Sequence, residues 1–294
     1  MNYELKDPIH CCPTQNLEFI IQNLFLLLFV LIPAPVSAAD LKPETEACFN
    51  RYVQATETRI QREINRRGAF LFIAGFKQPG MVRDVAEQVR GGQVYMRPLQ
   101  TEDASGHQIE CPDSLVHHWI GAVFVPGATV DQAIALAQDY DHHQGIYPEV
   151  LKSKLLKHDG NDFRIYYRLR KHKVVTVTLN TEHDVQYFRD DANHWHSTSI
   201  STRVAQVADA GKPTEHEMPV GHDEGFLWRI DSWWRFEGSE GGVYIECESV
   251  SLTRDIPTGL GWLIGPFITS IPKESLRNTL GSTRSALLAR IHPQ

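Results

Sequence analysis

The chain has 294 residues, of which 42% are hydrophobic and 22% charged, enough apolar mass for one substantial core and too patterned for a disordered polymer. Its formal charge is −7, so no global positive field attracts a phosphate backbone, and a general nucleic-acid partner is excluded.

In chain order, the first feature is "LFLLLFVLI" at 24–32, an unbroken apolar run followed by Pro33, Pro35 and the small-residue site "VSAA" at 36–39. An apolar segment of this length, a break and small residues predict a secretory signal over 1–38, shorter than the ~20 apolar residues of a membrane span. Lys6 stands against Glu4, Asp7 and Glu18 before the run, which keeps an uncleaved anchor as the alternative. The expected location is exported, periplasmic or secreted, with membrane contact only transient or through an uncleaved signal. Cys11 and Cys12 leave with a cleaved signal. Of the three that remain, Cys48 and Cys111 either close a loop or, with Cys247, stay as buried thiols.

Residues 39–113 read as a helical N-terminal extension. A helix over 43–67 carries Phe49, Val53, Ile60 and Ile64 near one face, with acidic residues early and basic ones late. The apolar run "AFLFIAGF" at 69–76 and a polar helix over 82–90 follow.

Residues 114–294 read as the main domain. "SLVHHWIGAVFVPG" at 114–127 is strand-like, and 129–156 predicts a helix with Ala133, Leu136 and Tyr140 on one face, then a short second helix. Five strands follow at 162–171, 173–190, 194–209, 225–238 and 242–256, separated by turn-forming segments, which predicts an antiparallel meander. Alternation puts Phe163, Ile165, Tyr167 and Leu169 on one side and Arg164, Arg168 and Arg170 on the other. The same pattern sets Phe226, Trp228, Ile230, Trp234 and Phe236 against Arg229, Asp231, Arg235 and Glu237. One dry face and one wet face are expected. The chain closes on a helix with Pro272 and Glu274 in its predicted first turn and Leu276, Leu280, Thr283 and Leu287 along one stripe, suited to cover the dry face.

Strand, two short helices, a long meander and a C-terminal helix form an order that resembles the START-like superfamily, which includes polyketide cyclase and dehydrase domains and lipid-transport proteins. The likeness is carried by "GATVDQAIALAQDYDHHQGIYPEVLKSKLLKHDGNDFRIYYRLR" at 127–170 and "SLTRDIPTGLGWLIGPFITSIPKESLRNTLGSTRSAL" at 251–287. It extends to exported bacterial members of that superfamily. The resemblance implies an α+β helix-grip, a curved antiparallel sheet wrapped around a long C-terminal helix, with a cavity for a lipid, quinone or polyketide-like molecule between them. It carries no catalytic residue set across.

The expected contacts of such a ligand are the aromatic residues of the dry face, Trp119, Tyr140, Tyr147, Tyr167, Tyr187, Trp228 and Trp234, together with Phe267, Leu276 and Leu280 at the closing helix. For any one of them, filling the core is the plainer role. Polar residues at dry positions say more, because a buried polar group must find a partner. Ser232 and His183 hold such positions, and His196 does if the strand at 194–209 points Ile200 inward. The leading expectation is a protein that binds or carries a hydrophobic small molecule. The first alternative is a cyclase or dehydrase-type enzyme using His183 or His196 as acid or base, and the second an envelope interaction module whose N-terminal cap fills the groove. No cofactor and no metal are expected. Phosphate loops, nucleophile elbows and HExxH are missing, and His117 and His118, adjacent on a strand, point to opposite faces. His143 and Asp139 share a helical spacing without a third ligand. Glu246 and Glu248 read as wet-face partners of Arg229 or Arg235.

Overall fold

The computed structural model describes residues 39–66, 69–173, 175–256 and 261–292, with side chains described throughout except at 261–269. The apolar run at 24–32, the cleavage site and the side chain of Phe267 lie outside the described residues.

Helix α1 (Pro43–Ile64) opens on Pro43, whose fixed φ suits a first turn, and places Glu44 and Glu46 at its positive end and Arg62 at its negative end. Its buried stripe is Phe49, Tyr52, Val53, Thr56 and Ile60. A 3-10 turn (Phe72–Gly75) leads to α2 (Pro79–Arg90). Helix α3 (Val130–Ala137) is stopped at its N-terminus by a reciprocal capping box between Thr129 and Gln132. Helix α4 (Gly261–Ile291) closes the chain.

Eleven strands are present among the described residues. Short β1 (Ala39–Asp40) pairs with β9 (His222–Asp223). The main sheet contains β2 (Tyr95–Pro98), β3 (Ser114–Pro126), β4 (Val150–Asp159), β5 (Asp162–His172), β6 (Thr176–Arg189), β7 (His194–Ala208), β10 (Arg229–Ser239) and β11 (Gly242–Arg254). Their spatial order is β2-β3-β11-β10-β7-β6-β5-β4, every pair antiparallel, with β8 (His216–Glu217) added beside β7. Gly160 at φ 59° and Gly241 at φ 80° turn the β4–β5 and β10–β11 hairpins, where a side chain would be strained.

On the concave face, Val123, Val125, Phe163, Ile165, Val185, Phe236, Val243 and Ile245 form one core with Leu276, Leu280 and Leu287 of α4. Gly121 of β3 permits the approach, since a Cβ there would stand 2.6 Å from Leu280 Cδ1. A curved antiparallel sheet holding a C-terminal helix is the helix-grip expected from the order of elements.

Three sequence expectations are corrected. The short second helix read within 129–156 is a 3-10 turn (Tyr140–Gly145), after which Pro148 prevents continuation and the chain extends as β4. The wet face is dry over half the sheet. Phe49, Tyr52, Val53 and Ile60 of α1 pack on Trp228, Trp233, Val250 and Leu252, and Val85 and Val89 of α2 pack on Ala122, Phe124 and Tyr244. The boundary read at residue 113 divides one compact unit, because the extension contributes β2 to the sheet and two clusters to its convex core. Cys48 of α1 is disulfide-bonded to Cys111 just before β3, while Cys247 is a free, buried thiol.

Candidate functional site

Directly opposed residues of antiparallel strands share a face, so the register shows which side chains meet on the concave floor. One row runs Val185 on β6, Ser199 on β7, Ser232 on β10, Ser249 on β11 and Trp119 on β3. The next runs Tyr187, Ser197, Trp234, Cys247 and Gly121. On the other side of the serine row, Ser251 faces His117 and Ser201 faces His183. The floor is thus divided. Its β11–β10–β7 centre, toward the starts of β3 and β10, is built from small hydroxyl side chains with Trp119 at one end of the row and Trp234 beside Ser232 in the next row, and its opposite end is the apolar core beneath Leu280 and Leu287. Ser199, Ser232, Ser249, Trp119 and Trp234 keep partial solvent access, so this part of the floor is not sealed. Lys273 of α4 lies 5.4 Å above the Trp119 ring, which brings the closing helix over this margin.

The tyrosines of the concave face are largely committed to one another. Tyr140 and Tyr187 join hydroxyls at 2.8 Å, and Tyr187 donates to the Ala137 carbonyl at 3.2 Å, so Tyr140 donates to Tyr187. Tyr147 meets Thr283 of α4 at 3.2 Å. His143 is buried among them. Its Nε2 lies 3.3 Å from the Leu136 carbonyl, which only accepts, so Nε2 carries the proton and Nδ1 accepts from Tyr167 Oη at 2.7 Å. Burial pushes the His143 imidazole down to about 4, and the ring is neutral in this network. Asp139 is used elsewhere, by His142 at 2.5 Å and Arg290 at 2.6 Å, so the metal pairing considered for His143 and Asp139 does not form. Among the described residues no three His, Cys, Asp or Glu side chains converge on a metal position.

His183 is on the concave face. Its Nε2 meets Thr181 Oγ1 at 3.0 Å, its ring stands edge-on to Tyr167, and its buried Nδ1 has no hydrogen-bond partner. Burial lowers its pKa to about 4. The imidazole is therefore neutral at pH 7, unable to act as a general acid and weak as a base.

Two expected site residues lie elsewhere. His196 is opposite Arg235 in the register, hence on the convex face, stacked on Phe188 at 4.6 Å with Nδ1 2.7 Å from Asp190. Polar residues fill both sides of β7, so alternation alone cannot choose its inward set. Trp228 precedes the first paired residue of β10 and turns into the convex cluster, where its Nε1–H donates to Asp223 at 3.2 Å. Leu276 and Leu280 rest in the apolar core against the sheet.

The convex face, expected to be wet, holds a buried charged cluster. Arg59 bonds to Glu63 at 2.7 Å and also to Glu248, and His118 Nε2 lies 2.6 Å from Glu248 with Tyr52 Oη on its Nδ1 at 2.9 Å. Arg235, 2% exposed, reaches Glu63 at 2.8 Å and Glu246 at 3.3 Å. Glu246 also accepts from the backbone N–H groups of Phe72 and Ile73 at 3.0 and 3.2 Å. Burial pushes Glu246 up to about 7 despite Arg235. Glu248 stays below the ordinary carboxylate value; burial opposes this, and the His118 hydrogen bond with the Arg59 and Arg235 charges overcomes it. The Tyr52–His118–Glu248 chain has the residue types of a proton relay, yet all three residues are at most 4% exposed and clamped under α1. It fastens the extension to the sheet. Because α1 and α2 occupy the convex face, the N-terminal cap does not fill the groove, which corrects that part of the interaction-module alternative.

No family model and no curated protein sequence matches the chain. Among solved structures it is similar to a STAR-related lipid transfer protein from Xanthomonas axonopodis, at 20% identity and TM-score 0.39 over 65% of this chain and 98% of that one. It is also similar to an aromatase/cyclase from Streptomyces, at 11% identity and TM-score 0.39 over 61% and 98%. A third likeness is to a human lipid transfer and protein localization domain, at 8% identity and TM-score 0.40 over 74% and 100%. The helix-grip assignment rests on the chain's own strand order and closing helix.

Proposed function

We propose that this is an exported protein that binds a mainly hydrophobic small molecule bearing several oxygen atoms, a quinone or polyketide-like compound, on the floor between the curved sheet and α4. The row Ser199–Ser232–Ser249, set between Val185 and Trp119, carries the proposal. Side chains this small at the centre of a floor leave volume for a guest, and hydroxyls in an otherwise apolar site favour a ligand that returns hydrogen bonds. A plain acyl chain would leave them unsatisfied. The free Nδ1 of His183 adds one more polar contact at the same margin. Export is supported by the apolar segment at 24–32 and by the Cys48–Cys111 bond, which an oxidising compartment preserves. Binding is favoured over catalysis because His196 faces away from the floor and His183 is a weak base.

Titration of the purified protein with a naphthoquinone and with palmitate tests this reading, followed by quenching of Trp119 and Trp234 fluorescence. The quinone binds more tightly than palmitate, and Ser232→Leu, which fills the row, abolishes its binding while the fold is retained. Equal affinity for both ligands, or unchanged quinone binding by Ser232→Leu, overturns the reading.

A further inference from the structure

Strands β4 and β5 carry seven lysine and arginine side chains against two aspartates, in a chain whose total formal charge is −7. The register places Lys152 opposite Arg168, Lys154 opposite Tyr166 and Lys157 opposite Arg164, so these cations share the outer face of the sheet edge. Arg164 is neutralised by Asp184 at 2.8 Å and Arg168 by Glu215 at 2.9 Å. Lys152, Lys154, Lys157 and Arg170 are exposed and have no carboxylate within ion-pair distance among the described residues. The outer face of this edge is a concentrated positive surface on an acidic protein.

The same edge displays apolar groups. The β4–β5 ladder shifts register between Val150 and Lys152 and again between Leu155 and Lys157. The extra residues are Leu151 and Leu156, 41% and 43% exposed. A bulge leaves its additional residue unpaired. Lysines and bulges on an edge strand are ordinary devices against edge-to-edge pairing, and they account for the cations and the irregular ladder. They do not account for the leucines, because a polar residue at each bulge would block pairing equally well without exposing apolar surface.

We propose that the β4–β5 edge docks on an anionic lipid bilayer, with Lys152, Lys154, Lys157 and Arg170 against the negative headgroups and Leu151 and Leu156 entering the interfacial layer. Charge complementarity selects the anionic surface. The leucines select a bilayer over a nucleic acid, whose phosphate backbone offers them nothing. Glu149, immediately before β4, accepts from Ser275 of α4 at 3.0 Å and from Asn278 at 3.3 Å, so the docked edge is also where the closing helix is latched.

Flotation of the full chain with vesicles of phosphatidylcholine, and of phosphatidylcholine mixed with phosphatidylglycerol, tests the proposal. The apolar segment at 24–32 is common to every protein compared, so the increment caused by phosphatidylglycerol isolates the edge. The wild type gains binding on the mixed vesicles and loses that gain at high salt. Replacing the three lysines together, K152Q, K154Q and K157Q, lowers the partition coefficient on mixed vesicles by roughly 100-fold, at about fivefold per cation. The pair L151S and L156S weakens binding while leaving its salt sensitivity. All five side chains are exposed, and circular dichroism verifies that the variants fold. Equal binding to both vesicle types, a triple variant that keeps the increment, or a leucine pair that changes nothing overturns the proposal. So does binding of duplex DNA as tight as binding of the mixed vesicles.

Discussion

His183 shows what burial does to one side chain on the floor. Its pKa is about 4 in the folded protein against 6.5 ordinarily, so between those values the unfolded chain binds the proton and the native protein does not. The stability that follows is present above pH 6.5 and lost as pH falls toward 4. His117 and His143, also lowered to about 4 by burial, act in the same direction. Glu246 and Asp231 act in the opposite one: raised by burial to about 7 and about 6, they contribute stability at low pH that is lost as pH rises through those values. The variant His183→Gln therefore loses stability less steeply between pH 6.5 and 4, by about 1.4 kcal/mol per pH unit, in urea unfolding across that range. Curves parallel to wild type would show that the imidazole is not held neutral by the fold. Individual residues were legible in the sequence where alternation was clean. Phe163, Ile165 and Tyr167 alternate with arginines, and they sit on the concave face as that pattern requires. Ser199 and Ser249 were not legible as a pair, because their meeting with Ser232 depends on strand register and no local pattern specifies it.

At the level of elements, the periodic helices α1 and α4 and the strands from β5 to β7 follow from hydrophobic spacing and turn residues. Strand β4 was hidden by two bulges, which break its period of two and leave a lysine-rich stretch without a clean alternation. The burial of the convex face was hidden for another reason. Asp231, Arg235, Glu246 and Glu248 read as solvated because charged side chains usually are; partners contributed by α1 and by the chain around Phe70 allow Arg235, Glu246 and Glu248 inside, and the backbone N–H and hydroxyl of Ser201 receive Asp231. Those partners make the cluster sensitive to single deletions. Arg235→Ala leaves Glu246 and Glu248, side by side on β11 under α1, with one fewer cation, and unfolding experiments at pH 8 register a loss of about 3–5 kcal/mol. A loss below about 1 kcal/mol, the range of an exposed ion pair, would mean that water reaches the cluster.

For the molecule as a whole, the extension is held by the convex clusters, by the charged network and by one covalent bond. Cys48 and Cys111 are 63 residues apart in sequence, and closing a loop of that size restricts the unfolded chain. Reduction, or Cys111→Ser, lowers the unfolding free energy by about 2–4 kcal/mol, read from denaturation with and without reductant. Unchanged stability in the variant would show that the unfolded chain gains no freedom when the bond is absent. The helix-grip was legible at this scale because element order and the closing helix's stripe limit the topology. The double covering of the sheet was not, since amphipathic α1 declares that it packs but not against what.

That double covering grades the rigidity of the sheet from one side to the other. Strands β3 and β11 are buried on both faces along most of their length, whereas β4 and β5 have water on one face, and the outer edge of β4 is met by the Gln144 and Asp141 side chains of the 3-10 turn rather than by another strand. Local opening costs most where both faces are packed and least at an exposed edge. The serine row starts on the stiff side, at Ser249 of β11, and runs through Ser232 and Ser199 toward the pliant one. A guest that needs more room than the floor provides therefore obtains it by displacement of the β4–β5 hairpin, while the strands backed by α1 hold their shape.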